Sequence, residues 1–248
     1  QPGFIAAFLI SALVVFFLVL IFYWYQGRDL AAASFAGLSA SYSNTGYMGI
    51  PLCLLALGQD GLAPAIIATF LVFILFALAT ILIEIDMLSH KKTHEIIWSV
   101  LKSLASNPLL VSPVLGLVWS ASGLVIYDPL AQVISFLAAA ATPCALVSIG
   151  LFLIRKDENA SSKVWGISFG KLIIQPIIAW LIAGPLLGLP ALWVNAAVIL
   201  AAMPTGTGPY MLAQYYMADG RVISRVVLVT TVGSLLTLSL FLWWNRGV

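Results

Sequence analysis

Ser43-Asn44-Thr45-Gly46-Tyr47-Met48-Gly49-Ile50-Pro51 lies inside a long apolar run, where a membrane helix should be unbroken. Its two glycines and its proline will not make a regular helix. Pro51 has no N–H to donate, and its ring clashes with the carbonyl four residues back, at Tyr47. In hydrocarbon an unmet backbone group costs several kcal/mol, so a break survives only where protein or a watery cavity meets it. Asn44 and Thr45 bring side-chain hydrogen-bonding groups to the same depth. A second stretch, Met203-Pro204-Thr205-Gly206-Thr207-Gly208-Pro209, repeats the interruption later in the chain. Two interrupted membrane helices in corresponding positions are the best sequence pointer to a transporter binding site.

The composition agrees. The chain has 248 residues, 62% hydrophobic and 8% charged, against roughly 25% charged in soluble domains. It reads as an all-α polytopic membrane protein. No nucleophile elbow, metal-ligand cluster or nucleotide motif is present, so neither an enzyme nor a cofactor is expected, and no nucleic-acid partner. Cys53 and Cys144 lie in apolar segments and read as small packing residues. His90 and His94 have the i, i+4 spacing of a metal pair, but they stand beside Lys91 and Lys92 in what reads as a solvated loop.

Eight apolar runs are long enough to span, near 4–25, 30–57, 62–85, 108–126, 129–154, 164–189, 191–217 and 222–244; a spanning helix needs about 20 residues. Tyr23-Trp24-Tyr25 closes the first with an interfacial aromatic cluster. With eight spans, one side receives Arg28, Lys91, Lys92, Lys102, Arg155, Lys156, Lys163, Arg221 and Arg225, and the other only Arg246. The rich side is expected in the cytoplasm, which places the C-terminus on the opposite side. The short loops favour the inner membrane of a bacterium.

Aligning Asn44-Thr45-Gly46 with Pro204-Thr205-Gly206 sets the first run on the sixth and the third on the eighth. A five-helix period inverts the second copy, the design of many secondary transporters. This divides the chain into 1–89, the remaining three helices of a first inverted repeat; 90–107, a cytoplasmic linker; and 108–248, a second repeat of five helices. On this reading the first two helices of repeat one would precede Gln1.

Each break yields half-helices whose ends meet near mid-membrane. A half-helix N-terminus exposes unpaired N–H groups and partial positive charge, which favour an anion. Gly46, Gly49, Gly206 and Gly208 let a ligand approach the backbone, and Asn44, Thr45, Thr205 and Thr207 supply directed hydrogen bonds. Together with the Gly46–Ile50 backbone and the 204–209 segment they form the expected substrate site. The competing reading makes both breaks structural kinks. Lys171 is the basic residue inside a span, either snorkelling to the cytoplasmic interface or facing the substrate path or an acid partner. Gln175, one turn deeper on the same face, is placed to line the cavity. Glu84 and Asp86 read as interfacial, and Pro143 as a bend in the fifth run.

The run Asn44-Thr45-Gly46-Tyr47-Met48-Gly49-Ile50-Pro51-Leu52 resembles the fourth helix of the auxin efflux carrier family of membrane transporters, which includes plant auxin exporters and bacterial permeases. Asn107-Pro108, Ala141-Thr142-Pro143 with Ser148-Ile149-Gly150, Lys171, and Ala202-Met203-Pro204-Thr205 followed by Met211-Leu212-Ala213-Gln214 are similar to later parts of that family, and the resemblance covers helices three to ten of ten. It implies a ten-helix inverted-repeat fold whose fourth and ninth helices cross at prolines matching Pro51 and Pro204. It also implies an asparagine at the substrate, matching Asn44, a scaffold helix set able to dimerise, and a mobile set carrying an organic anion. The family's ninth helix often carries an asparagine where this chain has Gly206-Thr207-Gly208-Pro209. The expected function is secondary transport of a small organic anion such as malonate, malate or an auxin-like carboxylate. The rivals are a sodium-coupled symporter of the bile-acid type and a membrane sensor that binds without transporting.

Overall fold

The computed structural model describes residues 1–88, 93–153 and 161–245. Among these residues the secondary structure is helical throughout, apart from one isolated antiparallel bridge between Ser43 and Thr205. Helix α1 (Pro2–Tyr25) opens on a proline, whose missing N–H costs nothing in a first turn, and ends at Gly27, where φ is +78°. Asp29 caps α2 (Leu30–Ser41), its carboxylate accepting from Ala32 N at 2.6 Å. Gly37 brings α2 against α1: a Cβ there would stand 2.7 Å from the Phe16 carbonyl oxygen. Small residues at such crossings are how membrane helices gain packing without a hydrophobic driving force.

After α2 the chain runs extended, makes a π-turn over Thr45–Gly49, and resumes as α3 (Ile50–Leu57). A 3₁₀ turn leads into α4 (Leu62–Met87). Helices α5 (Thr93–Ser106), α6 (Pro108–Ser122) and α7 (Asp128–Leu153) follow. The next span is built of α8 (Ser161–Phe169), a π-turn at Gly170–Ile174, α9 (Gln175–Leu181) and a π-turn at Ile182–Leu186. Then α10 (Ala191–Ala201) ends at the second break, α11 (Gly208–Tyr215) resumes, and α12 (Arg221–Asn245) closes the fold. Each π-turn precedes or contains a proline, at 51, 176 or 185. A π-turn re-registers the ladder where proline removes a donor.

Four helical stretches among the described residues are by themselves long and apolar enough to cross a bilayer: 2–25, 45–87, 162–186 and 221–243. The eight runs read in the sequence coincide with helices once the pieces on either side of each break are joined. The broad apolar surface on α1, α4, α6, α7 and α12, with Leu18, Phe22, Ile74, Val118, Phe136 and Leu236 among its exposed residues, is what lipid contact requires. The chain is an all-α polytopic membrane protein.

Two differences from the sequence reading stand out. The linker expected as a loop is helical over Thr93–Ser106, so His94 sits exposed on α5. The physical reason is the spacing of Ile97, Leu101, Leu104 and Ala105. Three of these, Leu101, Leu104 and Ala105, roof an apolar cavity against Phe70, Phe73 and Ile74 of α4 and Val111 of α6. Glu84 is also no free interfacial acid: it is buried and accepts from Ser103 Oγ and from Tyr216 Oη at 2.8 Å. Cys53 and Cys144 are free thiols, the first buried and the second exposed. His90, Lys91, Lys92, Arg155, Lys156 and Arg246 lie outside the described residues, and the side chains of Thr142, Pro143 and Ser148 are likewise not described.

Candidate substrate site at the crossed breaks

The two extended segments run antiparallel across each other. Asn44 N donates to Pro204 O at 2.9 Å, and Gly206 N donates to Tyr42 O at 3.0 Å, framing the Ser43–Thr205 bridge. Backbone groups freed by one break are therefore met by the other, which is how non-helical chain is tolerated at membrane depth. Thr205 adds a second tie: its Oγ1 donates to Ser39 O at 2.7 Å, while its N–H donates to Thr230 Oγ1 at 3.1 Å. The first of these bonds meets a C-terminal carbonyl of α2, which lacks a helical partner, and the second ties the break to α12.

A cavity of about 300 Å³ opens against this crossing. Asn44, Thr45 and Gly46 line it from the first break, and Gly206, Thr207 and Gly208 from the second. Tyr42, Ser43, Tyr47, Thr69, Phe73 and Met211 complete much of the wall, with Ser112 of α6 facing them. Among the described residues, no charged side chain lines it. The first turn of the Thr45–Gly49 segment and the start of α11 both present backbone here. First-turn N–H groups have no acceptor within their own helix and carry the positive end of the helix dipole. Thr45 Oγ1 is buried and finds no hydrogen-bond partner among the described residues. Leaving such a group unmet costs about 1–3 kcal/mol.

Other residues expected in the site stand behind it. Gly49, Ile50, Pro51, Pro204, Thr205 and Pro209 shape the crossing but do not line the cavity. Gly206 and Gly208 serve close packing: a Cβ on Gly208 would stand 2.6 Å from Tyr42 Cζ, and one on Gly206 would stand 3.0 Å from the same ring. Gln175 is fully buried and donates to Ser41 O at 3.2 Å. Lys171 is fully buried too, so its amine does not snorkel; it donates to Ser43 Oγ, Gln175 Oε1 and Ala201 O, with no acid among its partners in the described residues. Tyr42, Tyr47, Thr69, Phe73, Ser112 and Met211 were not legible as site residues. Tyr42 flanks the quoted motif, Tyr47 lies within it, and both carried a weak signal; Phe73 and Ser112 reach the cavity only through the packing of α4 and α6.

Comparison with known proteins places this chain in a family. The model of a family described as "Membrane transport protein" matches residues 3–242. A Rhizobium meliloti protein named "Putative malonate transporter" is 30% identical over 240 residues, covering 94% of this chain and 74% of its own. An uncharacterised transporter of Methanocaldococcus jannaschii is 28% identical over 212 residues, covering 83% of this chain and 66% of its own. Auxin efflux carrier component 6 of Arabidopsis thaliana is 28% identical over 140 residues, 54% of this chain and 25% of its own. The relatives are transporters and not enzymes. The chain therefore belongs to the membrane transport protein family, of auxin efflux carrier type, and is a multi-pass membrane transporter.

Proposed function

We propose that the protein carries a small organic anion across the membrane by alternating access around its crossed breaks. The observation that carries this reading is the cavity at the crossing, lined from both breaks, with the unpartnered Thr45 hydroxyl buried in its wall. Its recognition elements are helix N-termini, Asn44, Thr45 and Thr207, which suit a carboxylate without placing a full positive charge in the membrane. The aromatic wall of Tyr42, Tyr47, Phe73 and Phe76 suits the hydrocarbon body of the anion. Malonate, malate or an auxin-like carboxylate is the substrate class, a choice supported by the malonate and auxin names of two relatives.

The same proposal takes 1–89 and 108–248 as parts of an inverted pair of repeats joined by 90–107, in a bacterial inner membrane with the basic loops in the cytoplasm. The pairing of Asn44 with Pro204, the residues equated by the repeat alignment, supports this. The helices outside the crossing provide a scaffold through which two copies associate.

The test is counterflow of radiolabelled malonate in proteoliposomes, comparing the parent with Asn44→Ala at equal folded yield. The expected outcome is exchange in the parent and at least a tenfold loss in the variant. Exchange untouched by the substitution would remove Asn44 from the site. Saturable binding without exchange would favour a sensor, and exchange only with sodium would favour symport.

A further inference from the structure

Lys171 sits in the middle of a span, inside the π-turn Gly170–Ile174, and is fully buried. Its Nζ donates to Ala201 O at 2.6 Å, to Gln175 Oε1 at 2.7 Å and to Ser43 Oγ at 3.0 Å. An ammonium has three N–H donors and no acceptor, so three oxygens satisfy it completely. Two of these contacts lead to helix ends. Ala201 is the last residue of α10. Gln175 relays the other contact, its Nε2 donating to the carbonyl of Ser41, the last residue of α2. Both first half-helices therefore aim their C-termini at one amine.

Each helix C-terminus carries about half a negative charge. Two of them balance one ammonium, which explains how Lys171 is buried with no carboxylate among its partners in the described residues. In transporters built on broken helices, half-helix C-termini and unwound carbonyls are where a coupling cation is coordinated. We infer that the Lys171 ammonium is the resident cation of this crossing. It occupies the place where a free sodium ion would otherwise join the two helix ends, so the native protein needs no bound sodium there. Lys171 acts as a positioning residue: it touches Ser43, which lines the cavity, and holds both breaks in register from behind.

The test uses the full-length protein in two readouts, of which only the second rests on the proposed transport function. The first is the thermal unfolding midpoint in detergent, in sodium chloride, methylammonium chloride or choline chloride at equal ionic strength. The second is malonate counterflow in the same salts. The native protein is expected to give the same midpoint and rates within twofold in all three. Lys171→Ala should unfold at a lower temperature in choline, recover part of the difference in sodium or methylammonium, and lose at least tenfold in counterflow in choline. Lys171→Met, which fills the space without charge, should be equally impaired in every salt.

A native protein whose midpoint or rate depends on sodium would overturn the inference. So would a Lys171→Met protein as active as the parent, or a Lys171→Ala protein that no cation stabilises, which would reduce the amine to a structural tether. If neither variant folds, the response of the native protein to sodium decides the matter. If malonate gives no counterflow at all, the midpoints still test Lys171 and only the substrate assignment fails.

Discussion

Thr45 and Lys171 are both buried at the crossing, yet their polar atoms fare differently. Every donor of Lys171 is met, whereas the Thr45 hydroxyl is not. An unmet hydroxyl buried in the wall of a cavity is a stability cost, and this predicts the behaviour of an isosteric replacement. Thr45→Val removes the unmet group while keeping its volume. The ligand-free protein should be at least as stable as the parent, with up to about 1–3 kcal/mol recovered, while KM for counterflow rises several-fold. Thermal unfolding and a substrate titration check the two halves separately. Unchanged KM would mean that Thr45 is only a packing residue. The sequence marked Thr45 as a donor near a break. It marked Lys171 as a charge in a span, but its oxygen partners lie 4, 30 and 128 residues away along the chain, beyond the reach of local pattern.

At the scale of elements, both breaks were legible because proline and glycine act locally: one removes a donor and the other removes a side chain. The antiparallel pairing of the two breaks was not legible, since it joins segments 162 residues apart, from Ser43 to Thr205. The flanking hydrogen bonds make Ser43 and Thr205 a non-hydrogen-bonded pair, with an expected Cα separation of about 4.5 Å. That lies within the range a disulfide spans, about 4.4–6.8 Å. The double variant Ser43→Cys, Thr205→Cys should therefore oxidise to an intramolecular disulfide in a background where Cys53 and Cys144 are serine. Mass spectrometry of the crosslinked peptides would show it; persistent free thiols under oxidant would contradict the crossing. The α5 helix was missed for the opposite reason. Its flanking charges drew attention away from an apolar spacing that pays off only when α4 and α6 lie beneath it.

Across the whole molecule, Arg28, Lys163 and the start of α12 converge on a single cavity with Tyr23, Asp29 and Asp219. Arg28, Lys163 and the start of α12 thus share one end of the bundle. With that end in the cytoplasm, a membrane-impermeant maleimide should label Asp60→Cys on intact cells and Lys163→Cys only after permeabilisation, in a background lacking the native cysteines. The reverse pattern would invert the topology. Apolar length, scarcity of charge and two proline–glycine interruptions were enough for the sequence by itself to determine a polytopic helical membrane protein organised around two breaks, because each of these acts over a turn or a span. Only the tertiary structure decided that the breaks hydrogen-bond to each other, that the Tyr42 ring packs against Gly208, and that Lys171 faces helix ends instead of water. Those outcomes depend on which distant backbone groups are left unmet and on where packing brings them together, and no local pattern encodes that.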